Sequence, residues 1–316
     1  MRIIFWGKGD RALRCFEALQ KNGYSISLIV THRQESTTWY SSLFEYAKKS
    51  NIEFLAPENP NTIPIEQKIR SLSPDLSIFA GYGKIINQNL IDIPSIMSIN
   101  LHGGKLPEYR GSSPMNWVLI NGEKSFTLTV IRMDAGVDTG DILMEKTFNI
   151  SLDHTIQELH SIANKAFPLM LLEVVSSIEK VSYTLTPQDE RLASYYPLRF
   201  PDDGLVFFDQ LTSEELHNRI RALTEPYPCA FTFYKGRRVN LISSKMHKHN
   251  YFGEPGRIYK TSPKAGLLIC AMNRCLWIKR AYFADDSTLL KNVVSRYDKM
   301  DTISGVTMTH LTKLQK

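Results

Sequence analysis

Asn100 and His102 stand two apart in the run Ser98-Ile99-Asn100-Leu101-His102-Gly103-Gly104-Lys105-Leu106-Pro107-Glu108-Tyr109-Arg110-Gly111. On a strand that spacing puts both side chains on one face, with Ile99 and Leu101 on the other. An amide can donate to a developing oxyanion, and an imidazole can take up a proton near neutral pH. Gly103 and Gly104 remove side chains where a substrate approaches. Spacing alone equally allows a hydrogen-bonded core Asn and a capping His. A second stretch, 132–142, places Asp134, Asp138 and Asp141 in a glycine-rich turn. One of these acids can reach His102 across a cleft, although Asp and Gly are also ordinary hairpin residues.

Gly7-Lys8-Gly9-Asp10-Arg11-Ala12 matches the G-x-G-x-x-A dinucleotide fingerprint and follows an apolar run. A dinucleotide enzyme also needs an acid at the end of the second strand to hold a ribose hydroxyl. Here that strand runs into Val30-Thr31-His32-Arg33, and no acid appears before Glu35. A nicotinamide site is therefore not expected. The motif is read as a tight turn, or as a contact to a different phosphate.

The elements that position these residues alternate. Apolar runs at 2–6, 25–30, 76–80, 96–101, 127–132 and 142–148 predict strands, and 11–20, 40–49 and 155–180 predict helices. Such alternation predicts an α/β fold: a Rossmann-like, mostly parallel sheet with helices on both faces. Pro187, Pro197 and Pro201 then punctuate a polar stretch. Beyond a helix at 213–222, strand-like runs at 230–234, 239–243, 256–259, 267–271 and 275–279 predict a smaller β-barrel or sandwich. The expected organisation is a catalytic domain over 1–190, a linker over 191–212, a β domain over 213–285 and a tail over 286–316.

The chain of 316 residues has length for about two domains. No run of 18 apolar residues predicts a membrane span, and the short apolar start lacks a signal-peptide core. Cys15, Cys229, Cys270 and Cys275 form no CxxC pair. They read as reduced, buried thiols of a cytoplasmic protein, with no metal site expected. Residues 201–316 carry 18 Lys and Arg against 11 Asp and Glu, whereas the first 200 carry 20 against 21. A basic second half suits an anionic partner, nucleic acid or a nucleotide phosphate, or is simply a solvated basic surface.

Asn100-Leu101-His102, Leu106-Pro107-Glu108-Tyr109-Arg110-Gly111 and Asp138-Thr139-Gly140 together resemble the 10-formyltetrahydrofolate-dependent formyltransferase family. The resemblance extends through 221–231, 255–258 and 266–269, which look like parts of that family's OB-like C-terminal barrel, and stops near 285. One departure is Gly103-Gly104-Lys105, where many relatives carry Ser-Leu at the last positions. The resemblance implies a catalytic set of Asn100, His102 and Asp138, with 10-formyltetrahydrofolate as co-substrate. It implies that Gly81, Tyr82, Gly83, Lys84, Ile85, Asp134 and Gly136 line the pterin pocket.

Within the family, Pro114-Met115-Asn116-Trp117-Val118-Leu119-Ile120-Asn121-Gly122-Glu123 and Pro201-Asp202-Asp203-Gly204 look like the branch that formylates amino sugars linked to UDP or dTDP, for surface glycans. The related methionyl-tRNA formyltransferases usually carry a basic insertion after the second strand. Here 33–46 holds one basic residue and two acids. The expectation is thus a nucleotide-linked amino sugar as partner, and neither nucleic acid nor membrane. Lys8 and Arg110 are expected at the substrate, with Arg110 and Lys84 at its pyrophosphate. Tyr195, Tyr196, Tyr227 or Phe231 would stack on its base, unless they are barrel core. Methionyl-tRNA formylation and a non-catalytic folate- or nucleotide-binding protein are the alternatives. A homodimer is common among such enzymes.

Overall fold

The computed structural model describes residues 1–33 and 43–305. The expected start of the helix at 40–49 and the end of the tail lie outside them. The chain divides into two compact units. One comprises Met1–Pro114, Ser125–Asn149 and His160–Pro197, the other Met115–Lys124, Ile150–Leu159 and Leu198–Lys316.

In chain order the elements through residue 196 are β1 (Arg2–Gly7), α1 (Gly9–Lys21), β2 (Ser25–Val30), α2 (Leu43–Lys49), β3 (Phe54–Leu55), α3 (Ile63–Ser71), β4 (Leu76–Ala80), α4 (Gln88–Ile91), β5 (Met97–His102), β6 (Arg110–Gly111), α5 (Pro114–Ile120), β7 (Ser125–Arg132), β8 (Ile142–Asn149), α6 (Ile156–Glu179) and β9 (Tyr195–Tyr196). Seven strands form one sheet in the order β3-β2-β1-β4-β5-β7-β8. Neighbours from β3 to β5 run parallel, and β7 and β8 are antiparallel additions. β1 and β4 read as unbroken apolar runs because both faces of a parallel strand are covered. The expected α/β architecture is therefore present. The expectations missed α3, α4, α5 and three two-residue strands, which are too short for periodicity to register.

The glycine fingerprint serves packing at Gly7: a Cβ there would press on the Ala12 Cβ at 2.5 Å and leave no room between β1 and α1. α6 has the length and apolar composition to cross a bilayer, the one such helix among the described residues. It buries Ala163, Phe167, Leu171 and Val175 completely or nearly so, as a core helix does.

The second unit holds α7 (Ser213–Leu223), β10 (Ala230–Tyr234), β11 (Arg237–Met246), β12 (Ile258–Ser262), β13 (Gly266–Cys270) and β14 (Cys275–Phe283). The Thr212 hydroxyl accepts from Glu215 N while the Glu215 carboxylate accepts from Thr212 N, a reciprocal cap that starts α7. The strands form an antiparallel sheet in the order β10-β11-β14-β13-β12. Cys270 and Cys275 face each other across β13 and β14, and all four cysteines are buried free thiols.

Two segments differ from their expected character. Within the expected linker 191–212, Tyr195–Tyr196 form β9, which pairs in parallel with β6. The described part of the expected tail, 286–305, is packed in place: Leu290, Val294, Met300 and Thr302 are buried. Within it, Tyr297 N donates to Ile258 O (2.7 Å) and Ile258 N to Asp298 O (2.9 Å), on β12. Asp301 N donates to Phe233 O (2.9 Å), on β10. One polar, irregular segment thus bonds to both outer strands of the sheet. Polarity hid this, because backbone pairing needs no apolar side chain.

Candidate active site

β5 carries Asn100 and His102 to the carboxyl end of the sheet, the end at which open α/β sheets bind ligands. The β7–β8 turn brings Asp138 to both. Its Oδ2 lies 3.4 Å from His102 Nδ1, and its Oδ1 accepts from Asn100 Nδ2 at 3.3 Å. Gly111 N also donates to Asp138 Oδ2, at 2.9 Å. Asp134 and Asp141 do not reach the histidine. Asp134 accepts from Gly136 N and the Thr139 hydroxyl within its own turn, and Asp141 pairs with Arg132. The three acids of the turn are thereby separated into one that faces His102 and two that shape the turn.

His102 is 5% exposed. Its Nε2 lies 2.6 Å from Tyr109 O. A carbonyl oxygen only accepts, so Nε2 carries the hydrogen of that bond. Nδ1 is the ring nitrogen that faces the Asp138 carboxylate. Asn100 has two amide hydrogens, and the contact to Asp138 uses one of them. The second is available to an oxygen bearing developing charge.

The loop after β4 holds the residues expected around the pterin. Gly81 (φ +68°) and Gly83 (φ +33°) take left-handed backbone conformations. Ile85 is 77% exposed, whereas Tyr82 is buried. The Lys84 ammonium donates to Pro57 O (2.8 Å) and Glu58 O (2.5 Å), which ties this loop to the stretch after β3. Three buried polar atoms lack a partner beside it: Trp6 Nε1, His32 Nε2 and the Tyr82 hydroxyl. Their rings touch, with centroids 5.2 Å apart for Trp6 and Tyr82 and 4.6 Å for His32 and Tyr82. Burial, with Lys84 and Lys8 nearby, pushes the His32 imidazole down to about 4. Burial pushes the Tyr82 phenol up to about 12. These neutral groups are buried without partners beside the loop that the resemblance assigns to the pterin.

Among the residues expected at the substrate, Arg110 is a correction. Its side chain is fully buried. Its Nε and Nη2 donate to Gln188 Oε1 (3.1 and 2.8 Å), Nη1 and Nη2 to the Glu190 carboxylate (2.9 and 2.5 Å), and Nη1 to the Tyr195 hydroxyl (2.8 Å). All five hydrogens of the guanidinium are used within the protein, so none is left for a pyrophosphate. Glu190 is held below the usual carboxylate range by this hydrogen bond. Phe231 is the second correction: it is 5% exposed in β10, with the Arg238 guanidinium 3.6 Å from its ring centre. No base can stack there.

Tyr196 lies flat against Tyr109, with ring centres 4.9 Å apart. Tyr195 is 59% exposed, though its hydroxyl accepts from Arg110. Lys8 is exposed at the start of α1, with its backbone extended. Tyr227 is half-buried and belongs to the second unit.

Sequence reasoning missed Gln188, Glu190 and the Tyr109 carbonyl. Gln188 and Glu190 lie about 80 residues from Arg110 in a stretch whose prolines suggested a connection, and no spacing ties them to it.

Comparison with known proteins gives the family and the fold. The family model described as "Formyl transferase" matches residues 1–175, and "Formyl transferase, C-terminal domain" matches 200–291. A methionyl-tRNA formyltransferase of Acetivibrio thermocellus is 35% identical over 90% of this chain and 92% of its own length. The bifunctional polymyxin resistance protein ArnA of Wigglesworthia glossinidia brevipalpis is 29% identical over 95% of this chain and 46% of its own. The crystal structure of an N-formyltransferase from Helicobacter canadensis, complexed with folinic acid and dTDP-3-aminofucose, superimposes with a TM-score of 0.71 at 19% identity. That match covers 89% of this chain and 99% of the other.

Proposed function

The chain belongs to the formyl transferase family and is an N-formyltransferase, and from that premise we propose that it moves a formyl group from 10-formyltetrahydrofolate to the amine of a nucleotide-linked amino sugar. The observation that carries the transfer chemistry is the meeting of Asn100, His102 and Asp138 at the carboxyl end of β5. The folate supplies an activated formyl carbon. The free amide hydrogen of Asn100 is placed to donate to the formyl oxygen as it gains charge, a role worth about 100-fold or more in rate. The proton lost by the attacking amine is taken up by the His102–Asp138 pair at Nδ1, because Nε2 is committed to Tyr109 O. Asp138 stabilises the resulting imidazolium, and that proton passes to the folate nitrogen as its bond to the formyl carbon breaks and tetrahydrofolate leaves. The backbone of 81–85, with Asp134 and Gly136, lines the pterin side, backed by the buried Tyr82 and His32 rings.

The choice of acceptor is supported by 114–123 and 201–204, which resemble the amino-sugar branch, and by the single basic residue in 33–46. In the structure Pro114–Ile120 is the helix α5, three residues beyond the Gly111 that touches Asp138. Relatives named as methionyl-tRNA formyltransferases, at 35% and 32% identity, favour the second reading, formylation of charged initiator tRNA. The test is one panel: UDP- and dTDP-linked amino sugars and charged initiator tRNA, each with 10-formyltetrahydrofolate, read by mass spectrometry. The expected result is a net mass gain of one CO unit on an amino sugar. Efficient formylation of the tRNA alone at physiological salt overturns the choice of acceptor.

A further inference from the structure

We infer that Gln188, locked by Arg110, is a positioning residue that sets the Asp138 carboxylate against His102. The inference rests on the proposed role of Asn100, His102 and Asp138 in the transfer.

Asp138 is a non-glycine residue with φ +56°, in the left-handed region. A residue with a Cβ persists there only when its surroundings over-determine it. The Asp138 carboxylate meets Gly111 N, Asn100 and His102, and the residue's backbone carbonyl is held by one amide. Gln188 Nε2 donates one hydrogen to Asp138 O (2.8 Å) and the other to Gly140 O (2.7 Å). Its Oε1 accepts from both Nε and Nη2 of Arg110. Two donors and two lone pairs are all that a glutamine amide offers, and all four are used. Flipping the amide would set its oxygen against two carbonyls and its hydrogens against a guanidinium. Only one orientation of Gln188 is therefore compatible with Arg110.

The same arginine locks the rest of the strap. Arg110 N donates to Ser194 O (3.1 Å), Ser194 N to Pro107 O (3.1 Å) and Ser112 N to Tyr196 O (2.9 Å). At the other end Thr186 and Ile142 exchange backbone bonds of 2.8 and 2.9 Å. Residues 186–196 thus bridge the β7–β8 turn to the 107–112 loop. Asp138 is held from behind through its carbonyl by Gln188 and in front through its carboxylate by Gly111 N. Gln188 itself touches neither Asn100 nor His102 through any bond found in the structure, so its effect on the reaction passes through Asp138.

The test uses the full chain with Gln188→Leu, Gln188→Glu and Asp138→Asn. Gln188→Leu removes the lock at similar size. Gln188→Glu keeps the pairing with Arg110 and turns an oxygen towards the two carbonyls. Both should lower kcat by about 10- to 100-fold, the cost of a misplacement of order 1 Å. KM for either substrate should stay within about threefold, and the acid limb of the pH–kcat profile should move. If Gln188→Leu does not fold, Gln188→Glu carries the test. A kcat near the wild-type value in a folded Gln188 variant, with Asp138→Asn inactive, overturns the inference and leaves the catalytic reading standing. Equal losses of kcat, KM and melting temperature with an unmoved pH profile overturn it too, as signs of a merely structural role. An active Asp138→Asn refutes the catalytic reading itself.

Discussion

Two polar segments, 186–196 in the first unit and 286–305 in the second, do comparable work by different means. Both read as connective chain. The first is fastened by side chains: Gln188, Glu190 and Tyr195 converge on Arg110. The second is fastened mostly by backbone, through Ile258 on one outer strand and Phe233 on the other. The difference follows from what each must hold. A side-chain lock fixes the position of one carboxylate. A backbone lock satisfies rows of strand N–H and C=O groups that would otherwise be unpaired. The first segment should therefore govern rate, and the second stability.

That division can be broken in several ways. The largest effect belongs to the residues that the first segment serves. His102→Ala and Asn100→Ala should each lower turnover by about 100-fold or more. His102→Ala should also lower the melting temperature, because it removes the bond between His102 Nε2 and Tyr109 O and the packing of a buried ring. Near-native turnover of purified His102→Ala would end the catalytic assignment.

Next comes the docking of the strap. Gly111 has φ +97°, and a Cβ there would run into the Tyr196 carbonyl oxygen. Gly111→Ala should cut kcat by roughly tenfold or more by displacing β9 and the N–H that holds Asp138. A variant with full kcat would show that the pairing of β6 with β9 is dispensable.

The second segment is tested at Asp301. Its carboxylate accepts from Lys235 N (3.0 Å) and Gly236 N (2.8 Å) in the β10–β11 turn. Asp301→Ala should lower the melting temperature by roughly 5 °C, from about 1–3 kcal/mol of lost bonding. Its kcat should be unchanged, and a fall in kcat without a fall in melting temperature would reverse the proposed division. Tyr195→Phe should give the smallest effect of the mutants, within about threefold in kcat, since it removes one of five bonds to Arg110.

A pH series sharpens the same contrast. Arg110 holds the Glu190 carboxyl below its ordinary value. A depressed carboxyl stabilises the fold above its unfolded value, about 4.3, and that contribution is lost as pH falls through the folded value. The strap should therefore stay fastened from pH 5 to 9. Loss of wild-type activity within that range should leave thermal stability in place, and a matching loss of both would tie it to unfastening instead.

The meeting of Asn100, His102 and Asp138 had two sources in the sequence: the shared strand face joined Asn100 to His102, and the family resemblance singled out Asp138 from the three acids of its turn. Local pattern also revealed the long strands, since unbroken apolar runs such as Leu76–Ala80 are what burial on two faces requires. Arg110 was misread for the opposite reason. An arginine beside a site suggests an anion, and nothing adjacent in sequence announced Gln188 and Glu190 as its inward partners. Phe231 and the 286–305 segment were misjudged because burial is decided by packing between distant segments. Neither hydropathy nor a single residue type records that.

The position of the strap in the chain also orders events during synthesis. Asn100, His102 and Asp138 leave the ribosome well before Gln188, Glu190 and Tyr196, and the match to the N-terminal family model ends at residue 175. A nascent chain at that point holds Asn100, His102 and Asp138 but neither Gln188 nor β9. A fragment cut at 175 should therefore leave the Asp138 and Gly140 carbonyls without the Gln188 amide that holds them in the full chain.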